Sequence, residues 1–185
     1  PLTNLALALR LEPELPSYYD RLVIMGGAYY GQGNTRNFPV EFNFFADPDA
    51  AAVVFSGWPK LTMISWEATI NHGYPMDQFK ALMNHNNRRS EFLKDSTKQL
   101  LAFLEDNLNS NMSYAADPLA MAVMLEPDII SKSIEKYVQV ERFGWLSRGM
   151  TVVDWWGTAQ KDPNVDTVLE VDKGRFFDLL KAAFV

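Results

Sequence analysis

Glu41-Phe42-Asn43 sets a carboxylate and a carboxamide two positions apart, a spacing that can serve one ligand. In extended backbone the side chains of i and i+2 point the same way, which leaves Phe42 to pack behind Glu41 and Asn43. A carboxylate accepts hydrogen bonds and a carboxamide both donates and accepts, so the pair suits vicinal hydroxyls. The commoner use of an isolated E-x-N is a turn whose polar groups cap their own backbone, and the residues alone leave both uses open. Gly33-Asn34 is a turn signal with a second carboxamide. Met25-Gly26-Gly27 follows a short apolar run, so it reads as a strand end where a ligand can approach the backbone closely.

Asp117 precedes Pro118 and is expected to cap a helix. Its carboxylate also suits a hard cation such as calcium, which needs about six to eight oxygens and therefore further ligands from elsewhere. His72 and His85 lie in polar, loop-like sequence without an H-x-x-x-H or H-x-E spacing, so zinc is not indicated and exposed loop positions are expected. Trp155-Trp156 can stack on an aromatic ligand or pack at the core rim. Gly31-x-Gly33 lacks the G-x-x-x-x-G-K pattern and does not open a helix, so it is not a phosphate loop of that type.

These residues need elements to hold them. Leu2 to Leu11 is nearly all apolar and reads as a buried helix ended by Glu12-Pro13. Leu22 to Met25 suits a buried parallel strand, and residues 28–45 show no helical period, predicting a long loop. Asp47-Pro48 begins a helix that Gly57 and Pro59 stop, and Leu61 to Ser65 is the next strand. Helices are predicted over residues 75–83, 88–108 and 117–124. Residues 137–141, 151–154 and 168–171 read as strands, some antiparallel and near a sheet edge, before a closing helix from Asp172 to Phe184. The expected fold is α/β: a doubly wound, mainly parallel sheet flanked by helices, with a few antiparallel edge strands.

The chain has 185 residues, enough for one domain or slightly more, and 48% of them are hydrophobic, which supports a buried core. A net charge of −6 argues against nucleic acid as a partner, because phosphate neutralisation needs Lys and Arg. No stretch is long and apolar enough to span a bilayer, so no membrane partner is expected. The lack of cysteine removes disulfides, thiolate catalysis and Cys-ligated zinc.

Taken in order, several segments resemble the inosine-uridine-preferring nucleoside hydrolases. They are residues 1–6 (PLTNLA), 24–28 (IMGGA), Gly33-Asn34, Glu41-Phe42-Asn43 with 47–51 (DPDAA), 117–120 (DPLA) and 148–154 (RGMTVVD). The resemblance implies hydrolysis of the N-glycosidic bond of ribonucleosides to ribose and free base, assisted by calcium. It implies that Thr3 gives a backbone carbonyl to Ca2+ and Asp117 a side-chain oxygen. Asn34, Glu41, Asn43 and Asp117 would bind the ribose, with Met25 against the sugar. Calcium would hold the ribose and lower the pKa of an attacking water. A homo-oligomer, dimer or tetramer, and a cytoplasmic location with secretion left open are the further expectations.

Two departures from the pattern matter. The family's D-x-D-x-x-x-D-D cluster, which supplies most calcium ligands and the general base, is not in this sequence. The chain is therefore expected to be the C-terminal part of a single nucleoside hydrolase-like domain, inactive by itself. Its β-sheet would then carry an open central edge. Ala116 stands where many members carry a histidine that protonates the leaving base, and alanine has no proton to give. Tyr114 is the nearby candidate donor. The alternative function is a non-catalytic nucleoside- or ribose-binding protein of the same fold.

Overall fold

A computed structural model describes residues 1–108 and 111–184, without the side chains of residues 103–108. The elements run α1 (Thr3–Leu11), β1 (Val23–Met25), α2 (Phe42–Ala46), α3 (Pro48–Gly57), β2 (Leu61–Ile64), α4 (Trp66–Asn71) and β3 (Tyr74–Pro75). They continue with α5 (Met76–Ala81), α6 (Arg88–Leu108), β4 (Met112–Ser113), α7 (Ala116–Leu125) and β5 (Ile130–Lys136). The last are β6 (Val138–Val140), β7 (Thr151–Val153), β8 (Val165–Val171) and α8 (Lys173–Ala182).

The main sheet has the order β1-β2-β8-β5, with β1, β2 and β8 parallel and β5 antiparallel to β8. Strand alternation sends Leu61 and Met63 of β2 to one face and Ile64 to the other. On the first face lie α1, α3 and β6 of the separate antiparallel β6–β7 ribbon, around Ile24, Phe44, Val54 and Phe55. On the second lie α4, α7 and α8, around Leu119, Val123, Ile129 and Phe176. Helices on both faces give the expected doubly wound α/β architecture. Asn164 ties the ribbon to the sheet, since its Oδ1 accepts from Val138 N at 2.7 Å and its Nδ2 donates to Phe55 O at 3.1 Å.

Where the helix signals are local, they hold. Asp47 accepts from Ala50 N and Asp172 from Arg175 N, each capping the helix it precedes. Four readings change. Residues 28–45 are not all loop, because α2 begins at Phe42; a five-residue helix is too short to show a period. Asp117 is not a cap: Ala115 holds that position without a side-chain bond, and Asp117 is the second residue of α7. Of the three late strands, β8 is interior, between β2 and β5, and β6 and β7 pair apart from the main sheet instead of lying at its edge. The sequence also concealed α4 and the polar edge strand β5.

His72 is the fourth change. It is 6% exposed, not a surface loop residue. Its Nε2 accepts from Val171 N at 3.0 Å, so the proton sits on Nδ1, which meets Ala68 O at 2.6 Å. The ring thus joins the end of α4 to the end of β8. His72→Leu, which leaves a buried Val171 N–H without an acceptor, should lower the unfolding free energy by about 1–3 kcal/mol in urea titration. An unchanged midpoint would show that the bridge is dispensable.

Candidate functional site

Strand β1 ends at Met25, and the chain then crosses the carboxyl ends of the sheet from Gly26 to Asn34. A crossing segment with no partner strand must find acceptors for its N–H groups elsewhere. Gly26 N extends the ladder to Ile64 O at 3.0 Å. Gly27 N donates to Glu41 Oε2 at 3.0 Å, Ala28 N to Thr151 Oγ1 at 3.1 Å and Tyr29 N to Glu67 Oε2 at 2.9 Å. Glu67 Oε1 then takes Tyr30 N at 2.8 Å and Gln32 N at 3.1 Å. Gly31, Gly33 and Asn34 donate to Ala28 O, Phe38 O and Val40 O. Every N–H from Gly26 to Asn34 is paired.

Two glycines are required by this path. Gly27 has φ +76°, and a Cβ there would come within 2.7 Å of Thr151 Oγ1. A Cβ on Gly33 would lie 2.3 Å from Val40 O and 2.4 Å from Val40 N, inside the backbone of the returning segment.

That segment delivers Glu41, which caps α2. Its Oε1 accepts from Asn43 N at 2.9 Å and its Oε2 from Phe44 N at 3.2 Å as well as from Gly27. Glu41 and Asn43 therefore do not lie side by side in an extended loop; the alternative holds, in which Glu41 caps its own backbone. It lies under the start of a helix, 2% exposed, with one acceptor direction left on Oε1. Asn43 Nδ2 donates to Met25 O at 3.2 Å, which leaves Asn43 Oδ1 as an acceptor. Asn34 Oδ1 takes Phe42 N at 2.8 Å, which leaves Asn34 Nδ2 as a donor. Met25, Asn34, Glu41 and Asn43 are thus joined through one short network at the end of β1.

Burial drives the Glu41 carboxyl above its ordinary value of 4.5, against the backbone N–H groups of Asn43, Gly27 and Phe44, which favour the anion. Burial, with Tyr30 alongside, likewise pushes the Tyr29 phenol up to about 12. The Tyr29 ring meets Trp155 edge-on, and the exposed Tyr30 ring stacks on Trp155 with centroids 5.8 Å apart. Trp155 is therefore rim packing in this structure, while Trp156 projects into solvent.

Tyr114 is exposed and packs its ring on Trp66, centroids 5.9 Å apart, while Trp66 N donates to Gly27 O at 2.9 Å. Asp117 is exposed in the first turn of α7, and Thr3 opens α1 on the opposite side of the sheet, its hydroxyl bonded to Asp47 Oδ2. Among the described residues no three His, Asp or Glu gather to hold a metal. A cleft of about 610 Å3 lies apart from the strand ends, between α1, α3 and β6, and Arg10, Tyr137 and Arg142 are among its lining residues. It is a groove between packed elements and contains none of the four networked residues.

The model of the family described as inosine-uridine preferring nucleoside hydrolase matches residues 1–178. This chain belongs to that family. It is 35% identical to the pyrimidine-specific ribonucleoside hydrolase RihA of Escherichia coli (strain K12), over 97% of this chain and 57% of that protein. A solved inosine-guanosine nucleoside hydrolase superposes with a TM-score of 0.88 at 34% identity, over 100% of this chain and 59% of the other. A purine-preferring ribonucleoside hydrolase from Gardnerella vaginalis gives a TM-score of 0.83 at 28% identity, covering 100% of this chain and 58% of that one. The chain thus spans somewhat over half the length of these nucleoside hydrolases.

Calcium, which the family resemblance implies, needs about six to eight oxygens. Thr3 and Asp117 alone do not make that shell. Sequence reasoning missed Glu67 and the side-chain role of Thr151. Nothing local marks Glu67 as buried, since the N–H groups it accepts from lie 35 to 38 residues away.

Gly33→Ala should cost about 1–3 kcal/mol of stability by forcing the loop off Val40, read as a lower urea midpoint. An unshifted midpoint would refute the close approach. For Glu41 the folded pKa is raised, so its contribution to stability is full below the ordinary 4.5 and fades as pH rises through the folded value. The stability difference between the natural chain and Glu41→Gln should therefore fall from pH 4.5 upward, by at most about 1.4 kcal/mol per pH unit. A difference that grows with pH would contradict the assignment.

Proposed function

We infer that this chain forms the sugar-binding part of a ribonucleoside hydrolase that cleaves the N-glycosidic bond to ribose and a free base. The observation that carries the reading is the network of Met25, Asn34, Glu41 and Asn43 beyond β1, with a free amide donor, a free amide acceptor and a free carboxylate direction. Those three valences match adjacent ribose hydroxyls, each both donor and acceptor. Cleavage leaves positive charge on the sugar ring, and a buried carboxylate beside it favours that transition state more than the neutral substrate. Glu41 is suited to this task because its other valences fix it in place.

Proton supply to the leaving base is the weaker part of the machinery. Ala116 offers none, so Tyr114, one turn of chain before Asp117, is the donor proposed. Calcium is proposed as the bound cation on the family resemblance alone, which names the Thr3 carbonyl and Asp117 among its ligands. Assembly into a dimer or tetramer is proposed on the family resemblance. A second reading, ribose binding without turnover, is favoured by Ala116.

Activity of the full-length enzyme on a nucleoside panel, with and without a calcium chelator, tests the reading. Asn43→Ala should lower kcat/KM by about tenfold to a hundredfold. Tyr114→Phe should lower kcat with little change in KM. Chelator-sensitive ribose release is expected from the full-length enzyme and none from residues 1–185 alone. Nucleoside binding by calorimetry without any turnover would favour the second reading, and neither binding nor turnover would refute both.

A further inference from the structure

We propose that Glu67 is a positioning residue that holds the Tyr29–Gln32 turn and, through it, Asn34 in place for the sugar. The proposal rests on the ribonucleoside reading above. Glu67 is in the first turn of α4, directly after the carboxyl end of β2, and is 5% exposed. A carboxylate there would cost free energy unless its oxygens were bonded. Both are: Oε2 takes Tyr29 N, and Oε1 takes Tyr30 N and Gln32 N, at 2.8 to 3.1 Å.

The turn is shaped to receive an anion. Gly31 has φ +77° and donates to Ala28 O, so the N–H groups on either side of it converge into a concavity of the kind that binds phosphate or carboxylate. Here the anion is the protein's own. Gln32 is followed by Gly33, locked against Val40, and then by Asn34, whose amide caps the Phe42 N–H. Movement at Gln32 therefore reaches Asn34 within two residues. No other acidic residue accepts from this turn among the described residues.

Glu67→Gln keeps the shape but replaces one acceptor oxygen with an NH2 group that faces N–H donors. Loss of one charge-assisted bond should speed amide exchange at Tyr29, Tyr30 or Gln32 by at least about tenfold, with Met63 in β2 unaffected. In the full-length enzyme the same variant should raise KM for inosine or uridine by about tenfold. The decisive measurement is a double-mutant cycle with Asn34→Ala. If Glu67 acts through Asn34, Glu67→Gln adds less than about twofold in the Asn34→Ala background.

Full additivity, or a normal KM in a folded Glu67→Gln enzyme, overturns the positioning role. Should that variant not fold, Glu67→Asp, one methylene short of the turn, serves in the same cycle. Unprotected amides at Tyr29, Tyr30 and Gln32 in the natural chain overturn the proposal without any variant. An unsubstituted enzyme that neither binds nor hydrolyses nucleosides overturns the proposed function and the role in it, while the exchange data separately report the latch.

Discussion

The molecule is organised by the need to satisfy the backbone that leaves β1. Nine successive N–H groups cross the carboxyl ends of the strands, and four of the acceptors lie on side chains rather than on a neighbouring strand: both Glu67 oxygens, Glu41 Oε2 and Thr151 Oγ1. An unpaired buried N–H costs about 1–3 kcal/mol. A loop of this kind without those side chains would not keep one conformation. Glu41 and Glu67 enter from the starts of two short helices, α2 and α4, where the helix dipole also favours an anion.

This explains a division of labour at the candidate site. The buried carboxylates spend most of their hydrogen-bonding capacity on the protein, whereas each of the two asparagines bonds the backbone through only one end of its amide. Fixing one end of each amide sets which atom is presented: nitrogen from Asn34, oxygen from Asn43. Specific hydroxyl recognition needs that orientation, because a freely flipping carboxamide offers donor and acceptor indifferently.

How much of this was legible in the sequence depends on the range of the interactions. Asp47-Pro48 and Asp172 announced α3 and α8 because capping is decided within four residues. Met25, Asn34, Glu41 and Asn43 were brought together by the family resemblance, not by any local pattern, and the structure joins them in one hydrogen-bond network. Helices α2 and α4, of five and six residues, were too short to carry a period. Five of the seven residues of strand β5 are charged or hydroxylic, as suits an edge, so it lacked a clean alternation. Asp117 was misread as a cap because Asp-Pro usually is one, yet the helix begins one residue earlier. The burial of His72 and Glu67 depends on partners 99 and 35 to 38 residues away, which no local pattern encodes.

Thr151 closes the loop from a position 123 residues downstream of Ala28. The acceptors for one short crossing are therefore scattered along most of the chain. A polypeptide emerging from the ribosome through β2 would already contain Met25, Asn34, Glu41 and Asn43, but not the hydroxyl that completes the support of their loop. The native geometry of the site cannot be finished until the β6–β7 ribbon is made and docked. Contacts of such long sequence separation form slowly, because a large loop must be closed first. The loop beyond β1 is thus tied to the β6–β7 ribbon by a contact that closes 123 residues of chain.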